Sequence, residues 1–193
     1  MKVAIIKYNA GNIRSVDFAL QRLGVHAEVT ADTDSIKNAD KVIFPGVGEA
    51  GTTMKYLRKH KLDSLLRDLT QPVLGICLGQ QLMCRASEEG NTDCIGIYDE
   101  TVRRFPEGKK IPHMGWNSLR ERTGDLLKNL EKEPYVYFVH SYYVPLCEDT
   151  AAVCDYGISF SAAMQRDNYF ATQFHPEKSG DIGHAILERF VKL

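Results

Sequence analysis

The chain holds a single tryptophan, only seven prolines, and no excess of charge of either sign, with 24 basic against 25 acidic side chains and a net charge of -1. Near-neutrality removes the electrostatic footprint of a nucleic-acid binder, and without repeats, linkers or low-complexity tracts the collagen-like and disordered classes are excluded. Long hydrophobic runs are missing too. The opening Val3-Ala4-Ile5-Ile6 reaches Lys7 at once, too short for a signal peptide or a membrane span, so a cytoplasmic location is expected. The five cysteines are an odd number and include no CxxC pair, so neither a disulfide framework nor a metal site is expected, and no cofactor is implied. What is present is 44% hydrophobic and 25% charged residues over 193 positions, enough for one domain, residues 1–193, with a substantial core.

The first half alternates short β-rich runs with stretches of helical period, the pattern of βαβ units around a parallel sheet. Residues 2–6 read as the first strand. In residues 12–23 the apolar Ile13, Val16, Leu20 and Leu23 recur at helical spacing, with Asn12 as N-cap and Gly24 as the stop. Residues 25–30, 41–44 and 73–77 read as further strands, with one or two helices across 49–69. After Gly90 the texture becomes strand-dominated, with runs at 97–105, 114–120, 135–139, 151–156, 162–165 and 169–174, before a closing amphipathic helix over 180–191.

Gly75-Ile76-Cys77-Leu78-Gly79 falls where a buried strand meets a helical segment expected to run from Gln80 to about Glu89. That is the pattern of a nucleophile elbow, in which flanking glycines tolerate a sharp strand-to-helix turn that projects the central side chain. A helix N-terminus favours thiolate, and the free N–H of Leu78 can meet a developing oxyanion. A lone GxCxG is equally compatible with a buried structural cysteine. Cys84, read on the following helix, and Cys94, Cys147 and Cys154, near turns and strands, have the context of packing residues.

A cysteine that cleaves an amide needs a proton acceptor, and histidine has the suitable pKa. His26, His60 and His184 read as solvated surface residues, whereas His113 and His140 stay possible. His175 follows the run 169–174 and is tied through Pro176 to Glu177. Two residues apart in an extended segment, the imidazole and the carboxylate can share one side, so that Glu177 orients His175 and stabilises its cation.

The GxCxG elbow followed by a late His-Pro-Glu resembles the class I glutamine amidotransferases, over nearly the whole chain. Supporting stretches are Tyr8-Asn9-Ala10-Gly11-Asn12, Pro45-Gly46-Val47-Gly48, Ile111-Pro112-His113-Met114-Gly115-Trp116-Asn117 and Phe138-Val139-His140-Ser141-Tyr142. The resemblance implies a three-layer, flavodoxin-like α/β fold: a central, mainly parallel sheet with flanking helices and an added strand-rich antiparallel section. It further implies a glutaminase in which Cys77, His175 and Glu177 form a catalytic triad, with an oxyanion hole at Leu78 and the loop bearing Val47 and Gly48. L-Glutamine is then held around Gln81, Glu89, Ser141 and Tyr142. It also implies ammonia transfer to a (β/α)8 cyclase subunit in a heterodimer, through a surface including Asn12, Trp116, Tyr137 and Lys178. Gln80 departs from the methionine common among relatives. Two alternatives stay open: the small subunit of anthranilate or aminodeoxychorismate synthase, and a catalytically silent binding subunit.

Overall fold

A computed structural model describes residues 1–8, 12–130 and 133–193; the Asn9-Ala10-Gly11 part of the opening motif lies outside the described residues. The first half runs β1 (Val3–Ile6), α1 (Ile13–Arg22), β2 (Ala27–Thr30), α2 (Thr33–Lys37), β3 (Lys41–Gly46), α3 (Ala50–Lys59), α4 (Leu62–Asp68), β4 (Val73–Cys77) and α5 (Leu78–Met83). It continues through β5 (Cys84–Ser87), a 3₁₀ turn (Glu89–Asn91), β6 (Thr92–Asp93), β7 (Tyr98–Arg104), β8 (His113–Ser118), α6 (Gly124–Leu127), β9 (Tyr135–His140) and β10 (Tyr142–Tyr143). The chain closes with β11 (Thr150–Asp155), β12 (Ser159–Arg166), β13 (Tyr169–Thr172), a second 3₁₀ turn (Pro176–Lys178) and α7 (Gly180–Lys192).

The main sheet has the order β11-β12-β13-β4-β3-β1-β2. Strands β2, β1, β3, β4 and β13 are mutually parallel, while β12 and β11 extend the edge antiparallel. Both faces are covered, which is why the central strands are apolar at every position rather than alternately. Along β1, Ala4 and Ile6 pack with Met54 and Leu57 of α3 and Leu65 and Leu66 of α4. Val3 and Ile5 face the other way, onto Val16 and Leu20 of α1 and Ile186 and Phe190 of α7.

The strand-rich second half divides. Strands β11, β12 and β13 join the main sheet, and the rest forms a four-stranded sheet, β10-β7-β5-β6, and the β8–β9 pair. The helix expected from Gln80 to Glu89 stops at Met83, and Cys84 starts a strand instead. Cys84, Arg85, Ala86 and Ser87 carry no decisive local preference, so pairing with β7 and β6 decides their conformation. Gly24 ends α1 as expected, with φ +74°. Asn12 precedes α1, but its side chain makes no capping bond and its own φ is 70°. No helix among the described residues is long and apolar enough to cross a membrane.

Candidate active site

Strand β4 delivers Cys77 to the C-terminal edge of the parallel sheet, the edge at which open α/β sheets bind ligands. Its φ of 54° with ψ of -107° is a strained conformation for a residue with a side chain. The surroundings leave no slack. A Cβ on Gly79 would collide with the carbonyl oxygen of Phe44 on β3, and one on Gly75 with the sulfur of Met83 and the backbone of Gly79 and Gln80. The glycines therefore let α5 pack directly on β3 and β4. Leu78 is the first residue of α5, where a backbone N–H has no acceptor inside the helix.

His175 comes from the segment after β13, the neighbour of β4, and is held from behind. Its N–H donates to the Tyr137 carbonyl, and its carbonyl accepts from Ser179 Oγ at 2.6 Å. On the ring, Nδ1 lies 2.8 Å from Glu177 Oε1, with both side chains fully buried. The Asn12 amide donates to that same oxygen, so Asn12 serves the His–Glu pair rather than capping its helix. Burial disfavours the imidazolium, yet the facing Cys77 and the bonded carboxylate of Glu177 favour it more strongly and push His175 up to about 10. With Nδ1 committed to Glu177, the buried and otherwise unpartnered Nε2 is the nitrogen left for proton exchange with Cys77.

A cleft of about 340 Å³ opens over this pair. Cys77, Leu78 and His175 line it together with Val47 and Gly48, which follow β3 directly. Gly46 is paired with Cys77 across the β3–β4 ladder, and Tyr8 Oη donates to the Pro45 carbonyl at 2.5 Å, fixing the root of this loop. The far wall is Gln81, Glu89, Ser141 and Tyr142, so each residue expected to hold glutamine borders one space with the sulfur. Gln81 sits on α5 and Glu89 on the 3₁₀ turn; the two reach the cleft from different elements, not from one helix face. Burial and the nearby Glu49 raise the Glu89 carboxyl while a bond from the Ala50 N–H opposes them, and a cation arriving there gains a carboxylate partner.

His113 and His140 are not available as the base. Both are buried and bonded to each other at 3.0 Å, with His140 Nδ1 donating to the Tyr142 carbonyl at 2.7 Å. Burial pulls His113 down to about 4; burial, against the opposing bond to the Tyr142 carbonyl, pulls His140 down to about 3. They are neutral supports of the cleft wall. His26, His60 and His184 are exposed, as expected. Cys84, Cys94 and Cys154 are buried with burial raising each thiol, the latter two to about 12, which suits packing and not nucleophilic attack.

Trp116 and Tyr137 are cross-strand partners on β8 and β9 with ring centroids 6.1 Å apart. Trp116 is 55% exposed and Met114, on the same face of β8, is 62% exposed. Lys178 stands exposed on the 3₁₀ turn after His175, and that turn is tied to β9 by Tyr137 N–H donating to Ser179 Oγ. The exposed patch and the His175 segment are thus one mechanical piece. Sequence reasoning missed Met114, Tyr8 and Gln173. The last lies two residues before His175, a spacing in extended chain that places both on one side.

The elbow, the buried His–Glu pair and the α/β sheet agree with the family whose sequence model matches residues 4–193, the class-I glutamine amidotransferases, and the chain belongs to that family. A solved structure described as glutamine amidotransferase shares the fold, with a TM-score of 0.77 at 20% identity over 98% of this chain and 97% of that one. Curated relatives are more specific. The protein named imidazole glycerol phosphate synthase subunit HisH from Bacteroides fragilis is 61% identical over 100% of both chains. The protein of the same name from Escherichia coli K12 is 44% identical, again over 100% of both.

Proposed function

We propose that this chain is the glutaminase subunit of an imidazole glycerol phosphate synthase, releasing ammonia from L-glutamine for a HisF-type (β/α)8 cyclase subunit bound as a heterodimer. The observation that carries the reading is the single cleft in which Cys77, His175, the Val47-Gly48 loop and the residues suited to an amino acid converge. Full-length similarity to proteins named HisH supports the identity of the synthase.

The Cys77 thiolate attacks the amide carbon of glutamine, and the oxyanion is held by the Leu78 N–H and the Val47-Gly48 backbone. His175, protonated and steadied by Glu177, gives its proton to the amide nitrogen; the C–N bond breaks and ammonia leaves a glutamyl thioester. Water then attacks the thioester, His175 takes its proton, and the C–S bond breaks to give glutamate and free Cys77. Gln81 and Glu89, with Ser141 and Tyr142, hold the amino-acid end. Trp116, Tyr137, Lys178 and Met114 form the face against the cyclase, which uses the ammonia to make imidazole glycerol phosphate and aminoimidazole carboxamide ribonucleotide.

The test is glutamate release from glutamine by the purified chain mixed with a HisF-type subunit and its ribonucleotide ligand. Release that depends on the cyclase and disappears in Cys77→Ala supports the proposal. No release with any ligand-bound cyclase, or release only with a chorismate-using partner, rejects it.

A further inference from the structure

We infer that Gln173 donates a hydrogen bond to the sulfur of Cys77 and ties the nucleophile to Gln81 in the cleft wall, an inference that rests on the glutaminase reading above. Gln173 is fully buried, its Nε2 lies 3.7 Å from Cys77 Sγ, and its Oε1 accepts from Gln81 Nε2 at 2.9 Å. The polarity of this chain is fixed from outside. The Tyr142 carbonyl can only accept, and it receives Gln81 Nε2 at 3.0 Å and His140 Nδ1 at 2.7 Å.

With Nδ1 donating, the neutral His140 ring accepts at Nε2 from His113 Nδ1, and His113 Nε2 in turn accepts from the Asn117 amide at 3.3 Å. Gln81 is thereby oriented nitrogen-first toward Tyr142, and its second N–H meets Gln173. The oxygen of Gln173 must face Gln81, which leaves its nitrogen facing the sulfur. The consequence is chemical. The Val139 carbonyl, 3.8 Å from Sγ, accepts from the thiol and favours it, whereas an N–H aimed at sulfur favours the thiolate that attacks. Gln173 counters Val139, and Gln81 links that donor to the place where glutamine sits.

The experiment is alkylation of Cys77 by iodoacetamide in the full chain as a function of pH, with Cys77→Ala as blank and glutamate release by the cyclase complex measured in parallel. Gln173→Met keeps the volume but removes the donor; alkylation is expected to slow about tenfold on the acid side of its pH profile. Gln173→Glu keeps the shape and the acceptor for Gln81 but turns a carboxylate on the sulfur, and is expected to slow alkylation at least as much. It also keeps the test open should the methionine variant not fold. A wild-type profile in either variant overturns the inference. Absence of glutamate release by the wild-type complex instead defeats the glutaminase reading, so the two failures are told apart.

Discussion

Asn12 and His175 bond the same oxygen, Oε1 of Glu177, from opposite ends of the chain. The carboxylate is thus held by a residue that precedes α1 while it orients an imidazole that follows β13. Asn12→Ala is expected to lower the glutamate-release rate about tenfold at saturating cyclase subunit, the cost of one hydrogen bond to a charged group, with little change in KM. An unaltered rate under those conditions removes Asn12 from the His–Glu assembly and leaves it a surface residue.

Glu177→Gln should draw the His175 titration down from about 10 by roughly one unit or more, as read by NMR of the imidazole. A histidine raised from 6.5 in the unfolded chain contributes stability fully present below that value and lost as pH rises through about 10. Wild-type protein should therefore lose stability across that alkaline window, and Glu177→Gln should lose it at lower pH. Identical titration in both proteins contradicts the role given to Glu177.

The His113–His140 pair predicts the opposite sign. Both are depressed, to about 4 and about 3, so below 6.5 the unfolded chain binds protons that the folded chain refuses. Stability should fall on acidification by up to about 1.4 kcal/mol per pH unit for each histidine. His113→Phe, which keeps the stacking on Phe138 and Tyr156, should be less stable at neutral pH but show a shallower acid slope in urea titrations.

Gly79→Ala places a methyl group against the Phe44 carbonyl, where only backbone movement makes room. Chemical denaturation should show a loss of roughly 3 kcal/mol, and glutamate release should fall with it because the elbow moves. Gly96, whose added Cβ meets nothing, is the control for space alone, although its φ of +78° still carries strain.

Trp116→Ala should leave the melting temperature of the isolated chain nearly unchanged, since over half the side chain already faces solvent. Titration against the cyclase subunit should show binding weakened by about 2 kcal/mol, roughly thirtyfold, as for an aromatic anchor at an interface. Equal affinity moves the docking face away from the β8–β9 pair.

Local patterns carried much of this protein. The central strands were legible because burial on both faces makes them apolar throughout, and α1 because Val16 and Leu20 recur at helical period. Cys77 and the His175–Glu177 pair were legible because each is a short-range arrangement: a glycine-flanked turn, and two side chains two residues apart around a proline. What sequence could not decide were choices made between distant segments. Cys84–Ser87 lacks any preference strong enough to resist pairing with β7, so the helix after Cys77 ends early. Asn12 has the side chain of a helix cap, but it makes no capping bond and its amide instead donates to a buried carboxylate from the far end of the chain. The orientation of Gln173 is set by the Tyr142 carbonyl through Gln81, a polarity that exists only once α5, β10 and the segment after β13 are assembled. Sequence determined which groups can do the chemistry; the tertiary structure decided which of their atoms face one another, because hydrogen bonds in a buried site are fixed by their neighbours in space.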